Sequence, residues 1–503
     1  MRGKVLDGVP RRARVADSDV QAILEAGAQE VGWVQQEFGS VDLSDQRLDR
    51  RLIKTAEQLS KSPGSPINEA CGDWASTQAA YRLFNNSKAS PAAILEPHIQ
   101  ATLRRLSAQG GPVLVLQDTV FFSYGEHPNT RGLGPIGKCP GAREHGLIMH
   151  NALAFTTSGV PLGLLSQRIW ARQEVPQEGY QEKIERLQCT AIEEKESVKW
   201  LLGLRETLER APSGVKVITV ADRESDFSEF MCEAQACRAL FLIRARTDRQ
   251  LVPEDSGGCA SLLEAIGDAP VLGTLTVEIP GNGRRKARTA SAEVRIAAVT
   301  LKPPYRRGQA KALTSMEPMS VNVISATEVS PPEGNEPLSW VLLTNLSVKE
   351  FEGATEKIQW YGRRWGIETW HKVLKSGCRV EDCLLETAER LKRYLTVFSI
   401  IGVRLMYVTY RARVQPEAPA TAVFSAGEIE ALHLRLKKVP PPAEQPPTLR
   451  EAVRMIGRLG GHLGRKGDGE PGPTVLWRGW LRLYEDVEIL RAHKEFLGLI
   501  DSS

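Results

Sequence analysis

Two kinds of hydrophobic spacing alternate along the chain and divide it into regions. Near the amino end, apolar residues recur at helical spacing in three stretches, which span residues 44–61, 68–84 and 91–109. In the second stretch, Trp74, Tyr81 and Phe84 occupy the apolar positions. We therefore predict that residues 1–110 form a helical domain.

Continuous apolar runs, typical of buried strands, follow this region, and two of them lead directly to an aspartate. Asp118 lies within GPVLVLQDTVFFSY, and Asp222 lies within VKVITVADRESDF. A hairpin-like pair of β-rich segments and a charged helix separate them, and the strand FLIRAR follows at 241–246. This order favours an α/β domain over residues 111–411, with a mixed sheet and helices on both faces.

The helical pattern disappears between about residues 247 and 345. Four segments alternate like strands there, namely VLGTLTVEI, TASAEVRIAAVTL, SVNVISATEV and SWVLLT, and the basic turn GNGRRKAR joins the first two. A loop of this length without structure is improbable, so we predict an inserted β-subdomain. Its last strand carries Trp340.

The remaining residues are predicted to be mainly helical. A long apolar helix is expected near 388–411, followed by a linker whose stiffest part contains five prolines between 440 and 447. The last 55 residues return to helical spacing. We assign residues 412–503 to a linker and a helical carboxyl-terminal region.

The stretch YGRRWGIETWHKVLK at 361–375 combines polar and apolar faces. Each residue of an α-helix turns the axis by about 100°, so four polar residues fall within roughly 60° of one another. They are Tyr361, Arg364, Glu368 and Lys375. Ile367, Trp370, Val373 and Leu374 project to the other side, which suits a helix packed on a core. A solvated ladder of salt bridges remains an alternative for this helix.

Asp118, Asp222 and Glu368 together indicate a metal site. Clustered carboxylates repel one another, and a divalent cation stabilises their ionised forms. Oxygen ligands suit Mg²⁺ or Mn²⁺, and two such ions promote the cleavage or transfer of phosphodiesters. For either aspartate taken alone, a turn-capping role at a strand end is the common alternative.

Composition and charge describe an ordinary globular protein. The chain has 503 residues, 42% of them hydrophobic, and a net charge of +4, which is too small to establish a nucleic-acid partner. Basic residues cluster at 47–54, 284–288, 363–375 and 390–393, so one surface can be strongly positive. The eight cysteines show no zinc-binding spacing, which favours reduced structural thiols. Without a signal sequence or an apolar span, we expect a cytoplasmic protein.

These residues carry a resemblance to the bacterial cut-and-paste DDE transposases of the insertion-sequence-four family. That family has a Tyr-x2-Arg-x3-Glu-x6-Lys signature, and the sequence matches it at Tyr361, Arg364, Glu368 and Lys375. The resemblance extends to QDT around Asp118, ADRESD around Asp222, EKES at 194–197 and PLSWVLLT around Trp340. It covers most of the chain from about Ser44 onward.

The resemblance implies a ribonuclease-H-like fold and a role for each matched residue. Asp118, Asp222 and Glu368 would be the catalytic residues and would hold two Mg²⁺ ions, for which Mn²⁺ is expected to substitute. The implied DNA contacts are Tyr361, Arg364, Lys372, Lys375, Trp340, Arg244, Arg246, Arg47 and Arg51. Trp340 would stack on a base flipped from the duplex, and its alternative is a core tryptophan of the β-insertion.

The resemblance also implies a reaction and partners. The expected reaction is hydrolysis at the 3′ end of a transposon, hairpin formation by the freed 3′-OH, hairpin opening by water, and strand transfer into target DNA. The expected partners are terminal inverted repeats, target DNA and a second copy of the chain in a paired-end complex, with no membrane. The protein would then be associated with a bacterial nucleoid. A DNA-binding protein that does not cut, and a nuclease that cuts without joining, are the alternatives.

Overall fold

The computed structural model describes residues 32–501 apart from several short stretches. The stretches left out are 128, 138–143, 175–178, 180, 183–185, 187–189, 280–287, 304–316, 335, 443–444 and 466–467. The first 31 residues of the predicted amino-terminal domain lie outside the described residues. The basic turn predicted at 281–288 does too, except for Arg288.

Residues 32–110 are helical, as the sequence pattern predicted. The helices are α1 (Trp33–Phe38), α2 (Gln46–Lys61), α3 (Ile67–Cys71), α4 (Trp74–Asn85) and α5 (Pro91–Ser107). The second predicted helix is divided at Gly72, whose φ of 75° ends α3 in the left-handed conformation that favours glycine. Asp73 then begins α4 by accepting a hydrogen bond from the Ser76 amide at 2.7 Å.

Two aromatic residues of α4 point to solvent instead of the core. Trp74 is 73% exposed and Tyr81 40% exposed, whereas Phe84 is fully buried. Only the side of α4 that carries Ala80, Leu83 and Phe84 is buried. The prediction that Trp74 and Tyr81 occupy buried positions is therefore wrong, because seven residues of helix place them together on a different side.

A network of polar side chains connects helices α1 and α5 with strand β4 of the sheet. Glu37 of α1 receives hydrogen bonds from Arg105 Nη1 at 2.7 Å and from His98 Nδ1 at 2.5 Å. The other ring nitrogen of His98 accepts from the Leu164 amide at 3.0 Å, so the proton of the neutral ring lies on Nδ1. Burial alone would raise the pKa of Glu37, but Arg105 and His98 hold it well below its usual range.

A single mixed sheet forms the centre of the molecule. Its strands are β1 (Val113–Ser123), β2 (Gly134–Pro135), β3 (His145–Thr156), β4 (Pro161–Trp170), β5 (Val217–Ala221), β6 (Leu240–Arg244), β7 (Val271–Ile279), β8 (Arg288–Leu301), β9 (Met319–Glu328) and β10 (Ser339–Thr344). The order is β2-β3-β1-β5-β6-β10-β9-β8-β7, and β4 also pairs with β3. Strands β1, β5 and β6 are parallel, and the other pairs are antiparallel.

Helices cover both faces of this sheet, as predicted. On one face, α6 (Val198–Arg210) and α7 (Ser228–Ala236) bury Trp200 and Phe230 against Phe241 of β6. On the other face, residues such as Leu114 and Leu116 of β1 pack with helices from the second half of the chain. The alternation of side chains along each strand separates the two layers.

The strands predicted between 247 and 345 are present, but they do not form a separate sheet. Strand β10 pairs with the edge of β6, with Leu343 opposite Ile243, and β9, β8 and β7 extend the sheet from there. The sequence analysis also missed α8 (Leu262–Asp268), which begins with a capping box between Ser261 and Glu264. The free edge of β6 explains the extension, since an unpaired strand edge is a ready partner for another strand.

The rest of the chain is helical, as predicted. It forms α9 (Phe351–Gly362), α10 (Trp365–Lys372), α11 (Ala388–Val414), α12 (Ala426–Lys437), α13 (Leu449–Leu459) and α14 (Pro473–Asp501). The last three helices share a core with the end of α11, built on Val408, Ile456 and Trp480. The sequence analysis did not foresee α12, which lies in the predicted linker. Among the described residues, every helix is too short or too polar to cross a lipid bilayer.

Candidate active site

The register of the parallel strands β1 and β5 brings Asp118 next to Asp222. Asp222 directly follows β5, as predicted, but Asp118 lies in the middle of β1 and not at a strand end, because β1 stays paired with β3 as far as Ser123. Val113 of β1 lies opposite Val217 of β5, and Leu116 lies opposite Val220. Continuing this register by two residues places Asp118 level with Asp222, on strands about 4.8 Å apart. Two aspartates far apart in sequence thus become neighbours.

Helix α10 carries Glu368 in its first turn, and its apolar side is buried as predicted. Ile367, Trp370 and Leu374 are completely buried, and Val373 nearly so. A Cβ added at Gly366 would approach the Phe155 ring to 2.8 Å, which shows how closely this helix lies on the sheet. Glu368 is exposed on the opposite side, toward Asp118.

The single helix predicted over 361–375 is wrong in detail. Helix α9 ends at Gly362, and short i→i+3 hydrogen bonds, such as that from the Gly366 amide to Arg363 at 2.7 Å, connect it to α10. A turn of π-helix follows at Val373–Gly377. The four predicted polar residues therefore do not lie on one uninterrupted α-helix.

Arg364 lies between two of the acids. Its guanidinium is 2.5 Å from Glu368 Oε1 through Nη2 and 3.6 Å from Asp118 Oδ2 through Nη1. Burial would lower the pKa of Arg364, but Tyr361, Glu368 and Asp118 raise it above its ordinary value. A cation therefore occupies the space between the first and third acids.

Asp118 has a strongly perturbed pKa. Burial is the main cause and raises it to about 7, Arg364 opposes the rise, and the neighbouring carboxylates of Asp222 and Glu368 increase it. The Thr119 amide donates to Asp118 Oδ1 at 2.7 Å, which favours the ionised form. The three acids thus influence one another electrostatically.

Asp118, Asp222 and Glu368 offer carboxylate oxygens, which suit a hard divalent cation. In this structure the three side chains do not surround a common position for such an ion. Within the described residues, no group of three or more His, Cys, Asp or Glu side chains is arranged to hold a metal ion. The two aspartates nevertheless lie on neighbouring strands, and the Arg364 guanidinium lies between Asp118 and Glu368. Carboxylate oxygens of this kind are the ligands that Mg²⁺ and Mn²⁺ prefer.

Three aromatic residues, Trp340, Tyr361 and Trp365, pack together next to Arg364. Trp340 is only 5% exposed, and its ring lies 5.2 Å from Tyr361 and 5.7 Å from Trp365. Tyr361 is buried as well, and its ring lies under the Arg364 guanidinium at 5.8 Å. In this structure Trp340 is packed in the core, as the alternative in the sequence analysis had it, so a base reaches its face only after the surrounding rings move.

The predicted basic residues are divided between the site and other surfaces. Arg244 interacts with Tyr361 and is close enough to Arg364 for their charges to interact. Arg246 has an exposed side chain, and its amide donates to Asp226 at 2.6 Å. Arg47 and Arg51 lie on α2 in the amino-terminal region, Arg47 exposed and Arg51 partly buried. The structure therefore adds Arg244 to the surroundings of the acids.

Lys375 and Lys372 lie beyond the acids along the same helical segment. Lys375 forms an ion pair with Glu381 at 3.1 Å and lies 5.7 Å from the centre of the Phe122 ring. Lys372 is exposed and lines a cleft with Trp477 and Trp480 of α14. Lys372 thus borders the cleft between α10 and the carboxyl-terminal helices.

The sequence analysis missed several residues around this site. Glu381 accepts from the Ser123 amide at 2.7 Å and pairs with Lys375, and Trp365 encloses Trp340. His371 is buried three residues after Glu368, and its Nε2 has no hydrogen-bond partner among the described residues. The i→i+3 spacing of Glu368 and His371 was the available signal for the histidine.

Two protein-family models match the chain, one before the strands of the sheet in sequence and one after them. A model described as Transposase DNA-binding matches residues 30–89, and a model described as Transposase Tn5 dimerisation domain matches residues 400–496. The acids lie between these two ranges. The matches support a DNA transposase, with a DNA-binding region before the sheet and a dimerisation region after it. Of the two descriptions, that of the dimerisation domain names Tn5.

Proposed function

We propose that this protein is a cut-and-paste DDE transposase of the insertion-sequence-four family, with Asp118, Asp222 and Glu368 as its catalytic residues. The observation that carries the proposal is the parallel register of β1 and β5, which brings the two aspartates next to each other and near Glu368 of α10. A DNA-binding match and a dimerisation match flank this site. Chance would seldom bring both features together in one chain.

The proposed domains follow the order of these features. Residues 1–110 form a helical domain that binds the transposon end. Residues 111–411 form a ribonuclease-H-like catalytic domain, with the β-insertion at about 247–345, and residues 412–503 form a linker and a dimerisation region. The mixed sheet with helices on both faces supports the fold assignment.

The acids are proposed to hold two Mg²⁺ ions, or Mn²⁺ in their place, and these ions supply the activated oxygen and the stabilised leaving group of phosphodiester chemistry. The remaining residues position the substrate. Arg364 and Arg244 are available to bind phosphate oxygens next to the acids, and Lys375 extends this positive surface beyond Phe122. Tyr361 and Trp340 form the aromatic support beneath it.

The reaction that we propose runs in four steps. Water cleaves the transposon 3′ end, the freed 3′-OH attacks the opposite strand to give a hairpin, water opens the hairpin, and the 3′-OH joins target DNA. Trp340 is proposed to stack on a flipped base during the hairpin stage. Because Trp340 is buried, this requires the rings of Tyr361 and Trp365 to move away from it. The substrates are terminal inverted repeats and target DNA in the bacterial nucleoid, bound by a dimer.

Four further basic residues are proposed to bind DNA away from the three acids. Arg47 and Arg51 on α2 lie within the residues matched by the DNA-binding model. Arg246 and Lys372 are exposed and available to the phosphate backbone.

A cleavage assay tests this proposal. The protein is incubated with duplex DNA that ends in the inverted repeat flanking its coding sequence, with and without Mg²⁺, and a pre-cut duplex reports joining. Asp118→Ala, Asp222→Ala and Glu368→Ala should each abolish cleavage and joining while end binding persists, and Asp255→Ala, an exposed acid elsewhere, should cleave normally.

Each other outcome identifies a different protein. Cleavage without joining of pre-cut ends would indicate a nuclease, and end binding without Mg²⁺-dependent cleavage would indicate a DNA-binding protein that does not cut. Cleavage retained by any of the three acid variants would contradict the assignment of the site.

A further inference from the structure

The position of Arg364 sets a condition on metal binding, and this argument rests on the proposed function. The guanidinium contacts Glu368 at 2.5 Å and Asp118 at 3.6 Å, so it lies where a cation shared by these acids belongs. Two positive charges cannot occupy one small space without strong repulsion. A metal ion and Arg364 therefore compete for the same carboxylates.

The side chain of Arg364 packs against Tyr361, but one of its hydrogen-bond donors is unused. Its guanidinium lies 5.8 Å from the Tyr361 ring centre, and its side chain is 13% exposed. Its Nε is buried and lacks a hydrogen-bond partner among the described residues. A guanidinium with an unused donor has more to gain from a two-pronged anion such as a phosphate than from its present partners alone.

A DNA phosphate is the anion that this site is proposed to receive. Glu368 is 48% exposed on its side chain and Arg364 is 13% exposed beside it, so a phosphate that approaches the acids from solvent can reach the guanidinium alongside Glu368. Transfer of Arg364 from Glu368 to the phosphate frees the carboxylate. We propose that Arg364 is an internal counter-ion of the acids in the DNA-free protein, and that DNA binding removes it and thereby tightens metal binding.

The coupling works in both directions. If DNA increases the affinity for the metal, the metal increases the affinity for DNA by the same factor. A transposase built in this way assembles its metal site chiefly on DNA, which limits cleavage by protein that has not bound an end.

Mn²⁺ binding measured by electron paramagnetic resonance tests this coupling without any catalytic turnover. Free Mn²⁺ is counted during titration of the wild type and of Arg364→Met, each with and without a duplex that carries the terminal inverted repeat in a pre-cut form. In the wild type, the duplex should tighten Mn²⁺ binding by about tenfold or more, which corresponds to about 1.4 kcal/mol. Arg364→Met should bind Mn²⁺ about tenfold more tightly than the wild type without DNA, and should gain less from the duplex.

Arg363→Met is the matched control. It removes the same charge at the neighbouring position, but Arg363 is directed toward the Thr157 carbonyl, which its Nε reaches at 3.3 Å. Its Mn²⁺ affinity and its response to DNA should therefore match those of the wild type. Arg364→Lys, which keeps the charge and loses the two-pronged contact, should lie between the wild type and Arg364→Met.

Failure of this inference can be separated from failure of the proposed function. Asp222→Asn should lose the Mn²⁺ that the wild type binds, and unchanged binding in that variant would remove the metal site and the proposed function together. If Asp222→Asn loses the metal but Arg364→Met binds it no more tightly than the wild type, the metal site stands and the counter-ion role of Arg364 is refuted.

Discussion

Asp118 should destabilise the free protein at neutral and alkaline pH, so that its replacement by asparagine increases stability. Its pKa is raised from 3.8 to about 7, mainly because its carboxylate is buried. At about 1.4 kcal/mol per pKa unit, ionising this group in the folded protein costs about 4 kcal/mol more than in the unfolded chain. The exchange Asp118→Asn keeps the shape of the side chain and removes its charge, so the variant avoids this cost.

The sign of the effect follows from which state holds the proton. Below pH 3.8 both the folded and the unfolded protein carry it, and the penalty is absent. Between pH 3.8 and about 7 the folded protein keeps a proton that the unfolded chain has released, so stability falls as the pH rises. Above about pH 7 the whole penalty is present.

The assay is thermal and urea unfolding in EDTA at about pH 4 and about pH 8. Asp118→Asn should be more stable than the wild type by about 2–4 kcal/mol at the higher pH and about equal to it at the lower pH. Asp255→Asn, the same exchange at an exposed site, should change stability by less than about 0.5 kcal/mol at either pH. Added Mg²⁺ should stabilise the wild type and not Asp118→Asn, because a ligand that binds only the folded state raises its stability.

One result would refute this reasoning. If Asp118→Asn is destabilised at pH 8, or gains no more than Asp255→Asn, the cost of burying the Asp118 charge is smaller than its attraction to Arg364. The acids would then form a stable salt-bridge cluster and not a strained site that awaits a cation.

Three further predictions concern the contact between the amino-terminal helices and the sheet, and the surroundings of the site. Glu37→Gln should lower the free energy of unfolding by about 2–3 kcal/mol at pH 7, because it leaves the partly buried Arg105 charge without its partner. Denaturation should show that this loss shrinks as the pH falls below the usual range of a glutamate, because the pKa of Glu37 is lowered in the folded protein. Trp340→Ala should cost about 3–5 kcal/mol in the same measurement and Trp340→Phe much less, so equal stability of the alanine variant and the wild type would place the ring outside the core. Lys375→Met should reduce the slope of log affinity for the terminal duplex against log salt by about one, and an unchanged slope would mean that Lys375, paired with Glu381, touches no phosphate.

Local patterns predicted much of the fold. The helix at Pro91–Ser107, the apolar back of α10 and the buried strands β1 and β5 all follow from residues within a few positions of one another. The failures also have a local cause. The sequence pattern places Trp74 on the apolar side of its helix because the side chain is apolar. The pattern does not indicate which side of α4 packs against α2.

Three features of the site required the tertiary structure. The i→i+3 turn at 363–366 and the π-helical turn at 373–377 interrupt the single α-helix that uniform helical spacing predicts. Trp340 is buried because residues from α9 and α10 enclose its ring, which no property of its own strand indicates. The β-insertion joins the central sheet because β6 offers it an open edge.

The sequence by itself determined which groups this protein can use: two aspartates in or directly after buried strands, a glutamate on an amphipathic helix, and basic residues around them. The tertiary structure decided that β1 and β5 run side by side in a register that aligns Asp118 with Asp222, and that Arg364 lies between Asp118 and Glu368. Hydrophobic periodicity and capping act over a few residues, so a sequence shows them directly. Strand register and the partners of a buried charge depend on segments separated by a hundred residues or more, and only packing in three dimensions selects among them.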